Sequence, residues 1–139
     1  MPDYIDHLAA EAVKRVEEGY YNNIPKFRLS AGLSLREAVL RCARAPIISE
    51  IKFVSPSKGV LREYTPPGII ARDLEEGGAV GISVITEPKN FGGKLQFIGE
   101  IRSRVSVPIL MKDIVLSPVQ IEAAYRSCLL YTSPSPRDS

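Results

Sequence analysis

The run Gly81-Ile82-Ser83-Val84-Ile85-Thr86-Glu87 decides the fold. It is of strand length, rich in β-branched residues and almost continuously apolar. Its polar groups gather at the C-terminal end. A strand with one solvated face alternates apolar and polar residues, whereas a near-continuous run signals burial on both faces, as in a parallel sheet. Two further runs of this kind flank it, Pro46-Ile47-Ile48-Ser49-Glu50-Ile51-Lys52-Phe53 before and Pro108-Ile109-Leu110-Met111-Lys112-Asp113-Ile114 after.

Helical patterns fill the intervals. Thr65 is placed to cap a helix with Pro66 in its first turn, ending at Gly77-Gly78. Past a loop through Phe91-Gly92-Gly93, a second helix turns Leu95, Ile98 and Ile101 inward, and Ser117-Pro118 opens a third over Val119 to Tyr125. Strands alternating with helices of about a dozen residues predict parallel strands joined by helical crossovers. Glu50, Lys52, Glu87, Lys112 and Asp113 all fall at or near the C-terminal ends of their strands. In parallel α/β folds that edge is where ligands bind.

Ahead of the strands, Ile5, Leu8, Ala9, Ala12 and Val16 share one helix face, with His7 off it and solvated. Gly19 and Asn22-Asn23 end this helix. Ser34 and Glu37 have capping-box spacing and start another, with Leu35, Ala38, Val39 and Cys42 as its apolar face. Arg36, Arg41 and Arg44 read as its solvated outer face. The final stretch, Ser127-Cys128-Leu129-Leu130-Tyr131-Thr132-Ser133-Pro134-Ser135-Pro136-Arg137-Asp138-Ser139, cannot supply the fourth buried strand the repeat calls for. It resembles translated sequencing-adapter sequence. The expected division is a helical extension over 1–45, βα units over 46–126 and a foreign tail over 127–139.

With 18 Lys+Arg against 16 Asp+Glu, the net charge of +2 argues against nucleic acid or an anionic membrane as the main partner. No apolar run reaches the length of a membrane span and the start carries no signal-like pattern, so a cytoplasmic protein is expected. Cys42 and Cys128 are too few and too far apart for a disulfide scaffold, and the lone His7 has no Cys or His neighbour for a zinc site. Gly92-Gly93-Lys94 is not a phosphate-binding loop, because Pro88 stands where the leading glycine belongs.

The strongest chemical signal is Glu50-Ile51-Lys52-Phe53-Val54-Ser55-Pro56-Ser57-Lys58-Gly59. Two-residue spacing puts the Glu50 carboxylate and Lys52 ammonium on one face of a strand. The following loop offers hydroxyls and a base suited to an anionic substrate. Such a pair can also be purely structural. Lys112 ends the third strand, where burial and a cationic neighbour such as Lys52 would lower its pKa and suit it to proton donation. On pattern alone, Lys112 and Asp113 could equally pair with each other at a rim.

These segments, in this order, resemble indole-3-glycerol phosphate synthases. That family shows Glu-x-Lys followed by Ser-Pro-Ser-x-Gly, then Ser-Val-x-Thr-Glu with a Phe-x-Gly loop, then a strand ending in Lys-Asp. The likeness runs from about residue 34 to residue 125 and implies a (β/α)8 barrel with extra N-terminal helices, here cut off after about three βα units of the eight. It implies closure of a carboxyphenylamino-deoxyribulose phosphate to indole-3-glycerol phosphate, with loss of carbon dioxide and water and without cofactor or metal. By resemblance, Lys112 is the general acid, Lys52 contacts the anionic substrate, and Glu50 orients the lysines. Ser55, Pro56, Phe91 and Ile114 line the substrate site, with Ile114 replacing the commoner Phe. The implied partner is a small phosphorylated molecule, and oligomeric state is not readable. Two alternatives stay open: another phosphate-site barrel enzyme, and an incomplete polypeptide without activity of its own.

Overall fold

The computed structural model describes residues 3–22 and 34–127. Its elements in chain order are α1 (Tyr4–Glu17), α2 (Leu35–Arg41), β1 (Ile48–Ile51), β2 (Val54–Ser55), β3 (Gly59–Val60), α3 (Pro67–Glu76), β4 (Gly81–Ile85), α4 (Pro88–Phe91), α5 (Gln96–Arg102), β5 (Ile109–Lys112) and α6 (Pro118–Arg126). The α/β class read from the sequence is what the chain adopts. β1, β4 and β5 form a parallel sheet in the order β1-β4-β5, with Glu50 opposite Ser83 and Ile85 opposite Lys112. The central strand β4 is buried along its whole length, which is why it reads as the most continuous apolar run.

One face of the sheet carries the core. Ile51, Ile82, Val84 and Ile109 project from the strands against Ala71 of α3 and Phe97, Ile98 and Ile101 of α5. Burying an aliphatic side chain of this size is worth roughly 1.5–3 kcal/mol, so this layer dominates the stability of the described part. Leu95 is buried with Ile98 and Ile101, as the helical spacing predicted. Glu75 near the end of α3 ties the helical layer to the sheet: its Oε2 accepts from Ser106 N at 2.8 Å, Ser106 Oγ at 3.0 Å and Val107 N at 3.0 Å, in the loop that enters β5.

The observed strands are shorter than the apolar runs. Lys52 and Phe53 leave β1 because the chain turns into the small antiparallel hairpin β2–β3, in a stretch the sequence marks only as a Ser, Pro and Gly loop. Thr86 and Glu87 leave β4 because the Glu87 carboxylate caps α4, accepting from Lys89 N at 2.7 Å and Asn90 N at 2.9 Å. Helix α3 begins one residue late: Pro66 is held at ψ 123° as the N-cap, since a residue before proline is disfavoured in the helical region. Ser117 does cap α6, and Gln120 reaches back to accept from Ser117 N at 3.0 Å.

On α1 the inward face is Leu8, Ala12 and Arg15, while Ile5 is 66% exposed. Ala9 and Val16 are half-buried, so the expected apolar stripe faces inward apart from Ile5, and Arg15 joins it. Cys42 ends α2 as its C-cap rather than extending its apolar face, and Arg36, Arg41 and Arg44 are exposed. Ser127 closes α6 and is buried, donating from Oγ to Ala123 O at 2.7 Å. The rest of the stretch read as a foreign tail, residues 128–139, lies outside the described residues, as does Asn23. Among the described residues no helix is long and apolar enough to cross a membrane.

Candidate functional site

Alternation along the strands puts Glu50 on the face of the sheet opposite the helical core, together with Ser83 and Lys112, and Lys52 follows directly after the C-terminal end of β1. The register completes the arrangement. Glu50 lies beside Ser83 on β4, and Lys112, at the far end of β5, reaches across to it. Lys112 Nζ meets Glu50 Oε2 at 2.9 Å, and Ser83 Oγ donates to the same oxygen at 3.4 Å. The pair is open to solvent: the Lys112 side chain is 59% exposed. The burial expected around Lys112 is therefore not found among the described residues. Lys52 is half-buried, and the ion pairs among the described residues do not include it.

The remaining predicted residues follow the C-terminal ends of the same strands along the chain. Ser55 is buried in β2, its Oγ accepting from Lys58 N at 3.2 Å and so shaping the hairpin turn, with Pro56 exposed beside it. Phe91 ends α4 and is half-buried. Gly92 adopts φ 63° next to it, and a Cβ on Gly93 would collide with the carbonyl oxygen of Ile85, so this turn needs both glycines. Ile114 donates its N–H to Asp113 Oδ1 at 2.7 Å and accepts at its carbonyl from Gln120 Nε2 at 2.7 Å.

Lys112 and Asp113 do not pair with each other. Asp113 points the opposite way, into a buried polar cluster that the sequence reading missed. Its Oδ2 accepts from Tyr21 OH at 2.8 Å and Thr86 Oγ1 at 2.9 Å. Arg15 lies between the two carboxylates, with Nη1 3.4 Å from Glu87 Oε1 and Nη2 3.6 Å from Asp113 Oδ1. Arg15 is 7% exposed and Glu87 1%. One guanidinium against two carboxylates leaves a buried negative charge, and the backbone N–H groups of Lys89, Asn90 and Ile114 compensate it. Burial acts to lower the Arg15 pKa, but Tyr21, Asp113 and Glu87 outweigh it and hold the guanidinium above its ordinary value. Burial, then the Asp113 charge, push the Tyr21 phenol up. Tyr20 donates to Thr86 O at 3.0 Å, and burial pushes its pKa up to about 12. The one signal available in sequence was an arginine on the inward stripe of a helix, beside two tyrosines.

A lysine–carboxylate pair at the C-terminal ends of parallel strands, with a second lysine just beyond the end of β1, can hold an anionic molecule and present it with an ammonium proton. Comparison with known proteins bears on the family. The family model for indole-3-glycerol phosphate synthase matches residues 8–129. The indole-3-glycerol phosphate synthase of Carboxydothermus hydrogenoformans is 42% identical over 117 residues, covering 82% of this chain and 42% of that protein. Those of Shouchella clausii and Campylobacter hominis are 51% identical over 76 residues and 52% over 75, covering 55% and 54% of this chain but 30% and 29% of their own lengths. The chain thus spans about 29–42% of the length of these curated relatives, and within that span it belongs to the indole-3-glycerol phosphate synthase family.

Proposed function

We propose that the whole protein carrying this segment is an indole-3-glycerol phosphate synthase, closing the ring of 1-(2-carboxyphenylamino)-1-deoxyribulose 5-phosphate with loss of carbon dioxide and water. The observation that carries the reading is the 2.9 Å contact of Lys112 with Glu50 at the C-terminal edge of the sheet, inside the span matched by the family model. Closing an aromatic carbon onto a ketone requires a proton on the carbonyl oxygen, and Lys112 supplies it as general acid. Lys52 holds the anionic substrate, and Glu50 orients Lys112. Ser55, Pro56, Phe91 and Ile114 line the substrate site, and the reaction uses no cofactor or metal.

The three parallel strands are the opening part of a (β/α)8 barrel, preceded by a helical extension over 1–45 and occupying 46–126, with 127–139 foreign to the fold. The protein works in the cytoplasm on a small phosphorylated molecule. The 139-residue chain alone is inactive, because a barrel closes its sheet by pairing the first strand with the last.

Steady-state kinetics on the whole-length protein tests the roles. A general acid contributes typically about 10²–10⁴-fold, so Lys112→Met lowers kcat by that order while KM stays close to wild type. Lys52→Met raises KM at least as much as it lowers kcat, because the lost charge meets the anion in the ground state too. Glu50→Gln weakens both. Near-normal kcat in Lys112→Met would move the general acid elsewhere.

A further inference from the structure

We propose that Arg15 is a positioning residue for the reaction, fixing through Asp113 the end of β5 that carries Lys112. The proposal rests on the reading of Lys112 as the proton donor and extends it to the N-terminal helix, none of whose side chains hydrogen-bonds to Glu50, Lys52 or Lys112 among the described residues.

Lys112 and Asp113 are adjacent, so their side chains leave the backbone on opposite faces. Lys112 is 59% exposed at the open face and meets one carboxylate there. That contact alone cannot hold a long, flexible side chain in one place. The rigid handle is on the other side. The Asp113 carboxylate is fully buried and takes hydrogen bonds from Tyr21 OH, Thr86 Oγ1 and the N–H of Ile114, with Arg15 in ion contact. Tyr21 and Arg15 both come from the N-terminal segment, and Arg15 Nε donates to Tyr21 OH at 3.5 Å. Arg15 also contacts Glu87, beyond the end of β4. One side chain of α1 therefore spans the ends of two neighbouring strands. It sets the height and rotation of the peptide at 112–113, and hence the direction from which the Lys112 ammonium approaches the open face.

A cluster that merely stabilises the fold would look similar in a static view, so the test must separate the two. In the whole-length protein, Arg15→Gln is expected to lower kcat by about 10- to 100-fold, the scale on which small misplacements of a catalytic group act, with KM within about twofold of wild type. Arg15→Lys recovers part of the loss. The deciding measurement is a double-mutant cycle: in a Lys112→Met background, Arg15→Gln should cost no further kcat, because the group it positions is gone. Multiplicative losses in the double mutant, or unchanged kcat in a folded Arg15→Gln protein, overturn the proposal. If Arg15→Gln does not fold, Tyr21→Phe replaces it, removing one donor to Asp113 while keeping the ring. A smaller loss of kcat that vanishes in the Lys112→Met background supports the proposal, and a loss that persists there overturns it. Failure of the underlying reading shows separately, as near-normal kcat in Lys112→Met alone.

Discussion

At the scale of single residues, Tyr20 and Tyr21 are neighbours in the chain with different tasks. Their rings meet edge to face, with centroids 4.9 Å apart. Tyr21 serves a carboxylate, whereas Tyr20 donates to a backbone carbonyl at the end of β4. Because burial raises the Tyr20 pKa from 10.0 to about 12, the folded state favours the neutral phenol. That stabilisation is complete below the unfolded value and is lost as pH rises through the folded one. The melting temperature of the whole-length protein should therefore fall between about pH 10 and pH 12. Tyr20→Phe should start lower, by about 0.5–1.5 kcal/mol for one lost hydrogen bond, and fall less steeply over that window. Parallel alkaline limbs for the two proteins would show that Tyr20 is not the group responsible.

At the scale of elements, the loop from β5 to α6 depends on one amide. Gln120 is fully buried; its Oε1 accepts from Leu116 N at 2.7 Å and Ser117 N at 3.0 Å, while its Nε2 donates to Ile114 O. Gln120→Leu keeps the bulk but strands three backbone groups, and should cost about 1–3 kcal/mol in denaturant titration of the whole-length protein. A change below about 0.5 kcal/mol, the usual range for surface substitutions, would mean that water replaces the amide.

The same scale shows where the sequence was legible. The three strands, their parallel pairing, the Ser117 cap and the inward face of α5 follow from periodicity and capping chemistry, which are local. The hairpin β2–β3 was missed because two-residue strands carry no period. The Arg15 cluster was missed because its partners are remote: Glu87 lies 72 positions along the chain from Arg15, and Asp113 lies 92 from Tyr21. On α1 a helical wheel sees only an arginine interrupting an apolar stripe. At the candidate site the alternation expected along the first strand stops at Ile51, short of Lys52, and the reach of Lys112 to Glu50 needed the register of three strands.

At the scale of the whole molecule, both outer strands present unpaired edges within the described sheet, because β4 is the only strand with two neighbours. Apolar surface is open on both sides: Ile47 is 60% and Ile48 42% exposed near β1, with Leu116, Ile121 and Tyr125 exposed beyond β5. Unpaired edges and uncovered apolar faces favour association over a defined monomer. The 139-residue chain expressed alone should be insoluble or bind hydrophobic dyes, without a sharp melt. A cooperative transition in a monomeric sample, checked by calorimetry and sedimentation, would count decisively against this.

The opposed directions of Lys112 and Asp113 also bear on how the chain avoids misfolding. A slip of one residue in β5 exchanges the faces of its side chains. It would bring Asp113 toward Glu50, two carboxylates together, and press Lys112 against the buried guanidinium of Arg15. Both attractions would become repulsions in a single step, one of them out of reach of solvent screening. An apolar strand tolerates such a slip far better. The charged dipeptide at the end of β5 thus penalises the shifted strand alignment in the folded sheet, where the wrong pairing sets like charges against each other.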